Sequence, residues 1–508
     1  MYAKVIGETT CGINGEEIIV EVDISNGYPA FDLVGLPDTA VRESRERVRS
    51  AVRNSGYRFP ATRITVNLAP ADIKKDSSGL DLPITIGIIC AIGQLSNTLI
   101  KGKCFVGEVA LNGEIRSVSG ILPMIIDAKN RGYEDIFIPK GNAPEGELVE
   151  GIHVYAVENL AQVIEHLNER SKIVPLQSRG YHIEKRPAYE VDFADVQGQF
   201  AAKRALEIAA AGGHNVRMIG APGAGKTMLA RRLPTILPPM TEEEALEVTK
   251  IYSIAGILNR RKGLITERPF RSPHHTISHS ALIGGGSLPR PGEVTLSHNG
   301  VLFLDELPEF SRMALEVLRQ PLEDGFVTIS RVQATLSFPA VFLMISAENP
   351  CPCGFYEEND SVHECTCSSG EIERYHKRLS GPLLDRIDIQ IHVPRLDYND
   401  MKADHRGELS STIRKRVIKA RELQLTRMSG TGLHCNAEMR RQEIKNKCFL
   451  TNGARRLLEM AFNSLGLSAR SHDRIIKVAR TIADLEQMEE ITEDHLAEAI
   501  QLRTITKA

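Results

Sequence analysis

The chain has 508 residues, 42% hydrophobic and 25% charged, with no tryptophan. Single cores rarely grow past about 250–300 residues, so several domains are expected. A net charge of −3 excludes a global field that draws in nucleic acid, and any such contact must come from a local basic surface. The start, MYAKVIGETTCGINGEE, has no apolar core behind a basic head, unlike a signal peptide. The longest apolar run, LPITIGIICAIGQL, falls short of the roughly 20 residues of a membrane span. A cytoplasmic protein is expected.

In chain order, residues 1–170 mix strands (EEIIVEVDI, RITVNLAP, CFVGEVAL, DIFIP) with helical stretches such as DTAVRESRERVRSAVRNSG. That helix carries Arg42, Arg45, Arg49 and Arg53 at three- and four-residue steps. The stripe can meet DNA phosphates, although a solvated face paired with Glu43 and Glu46 is the commoner outcome. Residues 171–190 are polar and irregular and read as a linker. Residues 191–398 alternate strand and helix, the pattern of a parallel α/β sheet. Residues 399–508 are helical throughout, and 400–508 are mildly basic, with 20 Lys+Arg against 15 Asp+Glu.

The strongest signal is RMIGAPGAGKTMLARRLP. A short apolar strand runs into Gly220, Ala221, Pro222, Gly223, Ala224, Gly225, Lys226 and Thr227, and a helix follows. Glycines let backbone N–H groups wrap phosphates, and the helix start adds its positive end. Lys226 can reach the outer phosphates of ATP and Thr227 can ligate Mg²⁺. The next element, GVLFLDELPEF, is a buried strand ending in Asp305 and Glu306, at the edge where α/β sheets bind ligands. Asp305 would hold Mg²⁺ through water and Glu306 would polarise the attacking water. A third strand, AVFLMISAEN, ends in Asn349, placed to orient that water or simply to begin a turn before Pro350. Arg386, in RLSGPLLDRID, reads either as an arginine projecting from the subunit face or as a salt-bridge partner of Asp385 or Asp388. Arg470 and Arg474 share a helical face; they can clamp nucleotide from above or form a solvated face.

Three further features carry chemistry. VTISRVQATLSFP reads as a hairpin with Arg331 at or near its tip, where the charge can contact phosphate or merely keep an edge soluble. His274, His275 and His279 look like metal ligands, but no fourth ligand lies nearby and a structural or coupling role fits better. Cys351, Cys353, Cys365 and Cys367 form two Cys-x-Cys pairs eleven residues apart, with His363 between them. Four thiolates satisfy tetrahedral Zn²⁺ and would pin the loop; the alternative is a reduced loop without metal, and His363 can replace one ligand.

Together these residues resemble the AAA+ ATPases, and within them the magnesium-chelatase-like ComM/YifB family. The likeness is close in RPFRSPHHTISHSALIGGGSLPRPGEVTLSHNGVLFLDELPEF, NPCPCGFY, RLSGPLLDRID and LSARSHDRIIKVARTIADL, and it extends over nearly the whole chain. It implies that Asn349 is sensor 1, Arg386 a finger offered in trans and Arg470 sensor 2. It also implies an ATP-stabilised ring, a hexamer, that drives branch migration of DNA in natural transformation. Two insertions, ALIGGGSLPRPGEV and the Arg331 hairpin, would face the pore. The N-terminal block resembles the Lon proteolytic domain, a ribosomal S5 domain 2-like α/β fold. Aligned on the Lon dyad motifs, Gly79 replaces the nucleophile and Leu122 the lysine. Ser77 and Ser78 would then lack a general base. The implied architecture is a Lon-like domain without peptidase chemistry, a P-loop parallel α/β domain and a helical lid. A chelatase-type or chaperone-like motor remodelling protein partners is the rival reading.

Overall fold

The computed structural model describes residues 1–503 apart from 73–74, 76–77, 179, 181–188, 259–262, 287–288, 332–333, 357–363 and 396–406. The N-terminal part is built on β1 (Tyr2–Cys11), β2 (Asn14–Ser25), β3 (Ala30–Val34), β4 (Arg63–Ala69), β5 (Lys103–Phe105), a small pair β6 (Glu108–Val109) and β7 (Ile115–Arg116), β8 (Asp135–Pro139) and β9 (His153–Val157). Seven of them form one mixed sheet in the order β3-β4-β2-β1-β5-β8-β9. The apolar run flagged in the sequence is the helix Asp81–Ala91, buried at every residue. It lies against β1 and β2, because a helix that is apolar all round must be covered on all sides. Among the described residues no helix is long and apolar enough to cross a membrane.

The helix Thr39–Asn54 forms as its periodicity requires, with Val41, Val48, Ala51 and Val52 buried. Arg45, Arg49 and Arg53 are exposed along it, and Arg45 meets Glu46 at 3.5 Å; the Arg42 side chain lies outside the described residues. Arg47, on another face, grips the buried Asp81 through two hydrogen bonds of 2.8 and 3.1 Å.

The second sheet holds β10 (Val216–Ile219), β11 (Phe270–Arg271), β14 (Gly300–Leu304), β17 (Phe342–Glu348) and β18 (Ile389–His392), in the order β11-β14-β17-β10-β18. Every pairing in it is parallel. β10 and β14 are buried at every residue, as expected of parallel strands covered on both faces. Two short hairpins project from this unit: β12 (Gly284–Gly285) with β13 (Arg290–Pro291), and β15 (Phe326–Arg331) with β16 (Ala334–Pro339). Behind the sheet, the helices Ser410–Arg427 and Ala469–Leu485 pack on the helix Phe200–Gly212 and share one apolar core with it. Inside that packing the fully buried Arg480 is paired with Asp484.

The two parts touch directly. The helix Ile121–Asn130 packs on Glu242–Ala255, and the Gly120 N–H donates to the Ser253 carbonyl at 2.9 Å. The Ser253 hydroxyl donates to the Glu145 carboxylate. Much of 171–190, expected to be a linker, lies outside the described residues.

Candidate nucleotide site

β10 sits between β17 and β18 and delivers residues 220–227 at its carboxyl end. Gly223 and Gly225 have φ of +80° and +89°, a conformation that side-chain-bearing residues rarely adopt. Residue 226 then opens the helix Lys226–Arg232. The Lys226 ammonium donates to the Gly220 and Ala221 carbonyls at 2.5 and 2.9 Å and to Asn349 Oδ1 at 3.3 Å. The Thr227 hydroxyl donates to Asp305 Oδ2 at 2.8 Å, while Asp305 Oδ1 accepts the Glu306 N–H at 3.0 Å. A hydroxyl and a carboxylate meeting beside a glycine-rich loop make an oxygen donor set suited to a hard cation such as Mg²⁺. The loop, Asp305, Glu306 and Asn349, read from three separate stretches of sequence, thus converge at the carboxyl edge of one sheet.

Glu306 adopts φ 54°, ψ 47°, and its carboxylate lies 3.0 Å from His275 Nδ1. The His274 ring rests on the His275 ring with centroids 4.1 Å apart. His275 therefore attaches to the sheet edge that carries Glu306 by a contact that the sequence could not specify. Among the described residues the one group of three or more metal-ligating side chains is the cysteine set, not these histidines.

The two candidate arginines stand elsewhere. Asn215, which precedes β10, accepts the Asp388 N–H at 3.0 Å through its carbonyl and donates through its side chain to the Arg386 carbonyl at 3.2 Å. Arg386 is therefore at the amino end of β10, opposite the phosphate loop. Its side chain is only 8% exposed and is ion-paired with Glu323, not projecting freely and not paired with Asp385 or Asp388. Asp388 is already taken: Arg474 forms an ion pair with it and His214 Nδ1 lies 3.4 Å away. Burial opposes that charge, but Arg474 and His214 outweigh it and hold the carboxyl well below the usual carboxylate range. Arg470 meets the other oxygen of Glu323 at 3.9 Å, so it does not lie above its own phosphate loop. The reason is the docking of Ala469–Leu485 behind the sheet, which anchors the start of that helix to Asp388.

The expected hairpin forms, with Arg331 paired opposite Ala334 at its end; the Arg331 side chain lies outside the described residues. The second insertion packs beside it, since a Cβ on Gly284 would meet Ile329 Cδ1 at 3.0 Å. Arg290, in that insertion, is exposed. Gly284, Ile329, Glu323 and Arg386 line one cleft of about 570 Å³.

The four cysteines come together with all their sulfurs within 4.8 Å of one another. Burial opposes the Cys353 thiolate, but hydrogen bonds from the Phe355 N–H, Cys351 and the Thr366 N–H bring its thiol down to about 6. His363 lies outside the described residues. In the N-terminal part, Gly79 is buried and Leu122 is wholly buried in the apolar core, its N–H bonded to Glu145 at 3.2 Å; Ser78 opens the short turn Ser78–Leu80 and Ser77 lies outside the described residues.

Sequence reasoning missed Glu323, His275 as a partner of Glu306, and Gln199, whose amide donates to the Ala224 and Pro394 carbonyls at 3.3 and 2.7 Å. His275 lay within a noticed motif, whereas Glu323 is 63 positions from Arg386 and no local pattern marks it.

Three family models match the chain. Residues 192–401 match the magnesium chelatase, subunit ChlI, model and residues 407–503 its C-terminal model. Residues 20–142 match a further subunit ChlI model of Mg-chelatase. The competence protein ComM of Haemophilus influenzae is 45% identical over 513 residues, covering 99% of this chain and 98% of that protein. YifB of Escherichia coli is 43% identical over 502 residues, covering 98% and 96%. A Lon protease of Lachnoclostridium phytofermentans is 27% identical over 175 residues, 32% of this chain and 21% of its own. Identity at this level along almost the full length of both chains settles the matter: the chain belongs to the ComM/YifB family of magnesium-chelatase-like AAA+ proteins.

Proposed function

We propose that this protein is an ATP-driven ring motor acting on DNA, a helicase or branch-migration ATPase of cytoplasmic recombination and natural transformation. One observation carries the reading: the nucleotide-type residues Lys226, Thr227, Asp305, Glu306 and Asn349 sit at one end of β10, and Arg386 and Arg470 at the other. Arginines on that edge serve a neighbour's γ-phosphate better than their own, which calls for a closed ring of subunits, a hexamer in this reading. Mg²⁺ would be held by Thr227 and Asp305 and would neutralise phosphate charge; Glu306 orients and polarises the attacking water. Zn²⁺ is assigned to the four cysteines. The adjacent hairpins, carrying Arg290 and Arg331, suit a pore that grips phosphates without reading sequence. The N-terminal part is read as a Lon-like scaffold without peptidase chemistry; the 27% identity between part of this chain and a Lon protease supports the Lon likeness. The competence protein ComM supports the DNA reading over the rival; a chelatase-type motor acting on protein partners draws on the chelatase family models alone.

The test is strand displacement on a three-stranded DNA junction, alongside ATP turnover with and without single-stranded DNA. Lys226→Ala is expected to abolish turnover. Arg331→Ala is expected to hydrolyse ATP yet displace strands poorly. Turnover indifferent to every DNA offered would remove the DNA motor and leave the chelatase-type reading.

A further inference from the structure

The cysteine cluster lies against the phosphate loop. Cys351 follows Asn349 by two residues, and Asn349 contacts Lys226 at 3.3 Å. Gly354, with φ +90°, comes so near Pro222 that a Cβ there would lie 2.6 Å from Pro222 Cδ. Its N–H donates to the Cys351 carbonyl at 3.0 Å and to Cys351 Sγ at 3.2 Å. Arg395 completes the clasp: its guanidinium carbon is 5.4 Å from the Phe355 ring centre, and Nη2 donates to the Pro222 carbonyl at 3.3 Å. Pro222 is thus held between Gly354 and Arg395, both tied to the cysteine segment.

The sulfurs have the spacing of one metal ion. Cys351 Sγ lies 3.2 Å from Cys353 Sγ and 3.8 Å from Cys365 Sγ, and Cys353 and Cys365 are 3.6 Å apart. Zinc–sulfur bonds of about 2.3 Å require tetrahedral edges of about 3.8 Å. None of the four forms a disulfide. Four thiols make a soft, closed donor set, which selects zinc over Mg²⁺ and leaves no open position for catalysis.

We propose that zinc bound by Cys351, Cys353, Cys365 and Cys367 braces Pro222, so that zinc occupancy sets the affinity of the phosphate loop for ATP. The inference rests on the reading of residues 220–227 as the ATP loop. Zinc ties the start of the segment (Cys351, Cys353) to its end (Cys365, Cys367). Without that tie, the two ends of the segment that carries Gly354 and Phe355 are no longer joined through the sulfurs. Pro222 then loses a wall, and the loop carbonyls and N–H groups around Lys226 lose their fixed arrangement.

The experiment uses full-length protein. Zinc per protomer is measured by elemental analysis after exhaustive desalting, cobalt substitution is followed by its tetrahedral thiolate spectrum, and binding of a fluorescent ATP analogue is titrated with zinc loaded, removed by chelator, and restored. One ion per protomer is expected, with ATP binding weakened about tenfold on removal, roughly 1.4 kcal/mol, and recovered on restoration. Gly354→Ala should retain zinc and cobalt spectra while weakening ATP, because it pushes Pro222 and keeps all four cysteine ligands. Cys365→Ser/Cys367→Ser should lose zinc and ATP affinity together, with circular dichroism confirming the fold. Absence of both zinc and a tetrahedral cobalt spectrum would overturn the metal site. Equal ATP affinity in the loaded and stripped protein would overturn the brace alone. No ATP binding in either state would overturn the ATP reading and the brace with it.

Discussion

The separation of Arg386 from Lys226 gives a quantitative test of a site shared between subunits. β10 contributes four residues, Val216–Ile219, about 13 Å at roughly 3.3 Å per residue, between Asn215 at the Arg386 end and Gly220 at the phosphate end. That span lies along a strand paired on both sides, so Arg386 cannot swing round to the Lys226 of its own chain without breaking the sheet. If Arg386 serves the adjacent protomer, Lys226→Ala and Arg386→Ala damage the same interface from opposite sides. Loss of an arginine finger lowers turnover by about 10³–10⁵, so each variant alone should be close to silent. In a random 1:1 mixed ring, about one quarter of interfaces pair an intact phosphate loop with an intact arginine. The mixture should therefore recover ATP turnover of about a quarter of wild type if the sites fire independently. Arg386→Ala removes the donor to the Pro382 carbonyl and leaves Glu323 with the Arg470 contact alone, at about 1 kcal/mol or more, so its melting temperature is recorded too. Arg386→Lys, which keeps the charge without the fork, serves as the second variant. A mixture no more active than the sum of its parts, from proteins shown to co-assemble, would refute the trans placement.

Other consequences can be checked on the purified chain. Glu306→Gln keeps the shape of the side chain but removes its ability to polarise water, and should lower the rate of ATP cleavage by about 10²-fold or more while ATP binding persists; weakened binding with intact turnover would contradict the role. Glu323→Gln removes the carboxylate that pins Arg386, and with Glu323 half exposed a loss of about 1–2 kcal/mol is expected in urea melts; no change would mark the pair as incidental. Glu8 is wholly buried with neither carboxylate oxygen bonded, and burial, reinforced by Asp127, raises its carboxyl to about 9. The folded chain then keeps a proton that the unfolded chain releases above about 4.5. Stability should therefore fall as pH rises between these values, by up to about 1.4 kcal/mol per unit. Glu8→Gln should flatten that slope between pH 6 and 8, and an unchanged slope would show that another group carries it.

Much of the nucleotide edge was legible because its elements are local. A short apolar strand, a glycine-rich turn and a helix occupy one continuous stretch, and VLFLDE announces a buried parallel strand by having no polar position. The hairpin around Arg331 was readable from alternation on either side of a two-residue connection. The arginines were harder, because their partners are distant in sequence. Nothing near Arg386 identifies Glu323, and nothing in RLSGPLLDRID reveals that Asp388 is claimed by Arg474 and His214. The spacing of the cysteine pairs indicated metal chemistry, but their closeness to Pro222 depends on β17 emerging beside β10, a fact of sheet order rather than of sequence. Likewise the two-layer packing of the C-terminal helices placed Arg470 away from its own loop, where helical periodicity alone had allowed it on top.

β17 runs between the two ends of the parallel sheet, and its pairing limits how the proposed motor could work. At its carboxyl end comes Asn349, in contact with Lys226; at its amino end Ala340 and Val341 lead directly from the β15–β16 hairpin. The strand is paired with β14 on one side and β10 on the other. Sliding it between them would cost its ladder of hydrogen bonds, and a slip of one residue would turn its buried side chains to the wrong face. A nucleotide-dependent change at Asn349 therefore cannot reach the hairpin as a shift along β17. In the proposed ring it would travel as rotation of the whole sheet relative to the neighbouring subunit, the rigid-body class of transition. The contacts that would bias that rotation are those at the edge where Glu323 meets both Arg386 and Arg470, the edge that would face the next subunit in the proposed ring. A neighbour's phosphate would compete with Glu323 for the same two guanidinium groups, so ATP in one protomer would loosen the base of the hairpin in the next. Crosslinking β14 to β17 within the sheet should accordingly leave strand displacement intact, whereas crosslinking one protomer's Glu323-bearing segment to its neighbour should stop it while single-site ATP binding survives. The opposite result would mean that β17 itself moves.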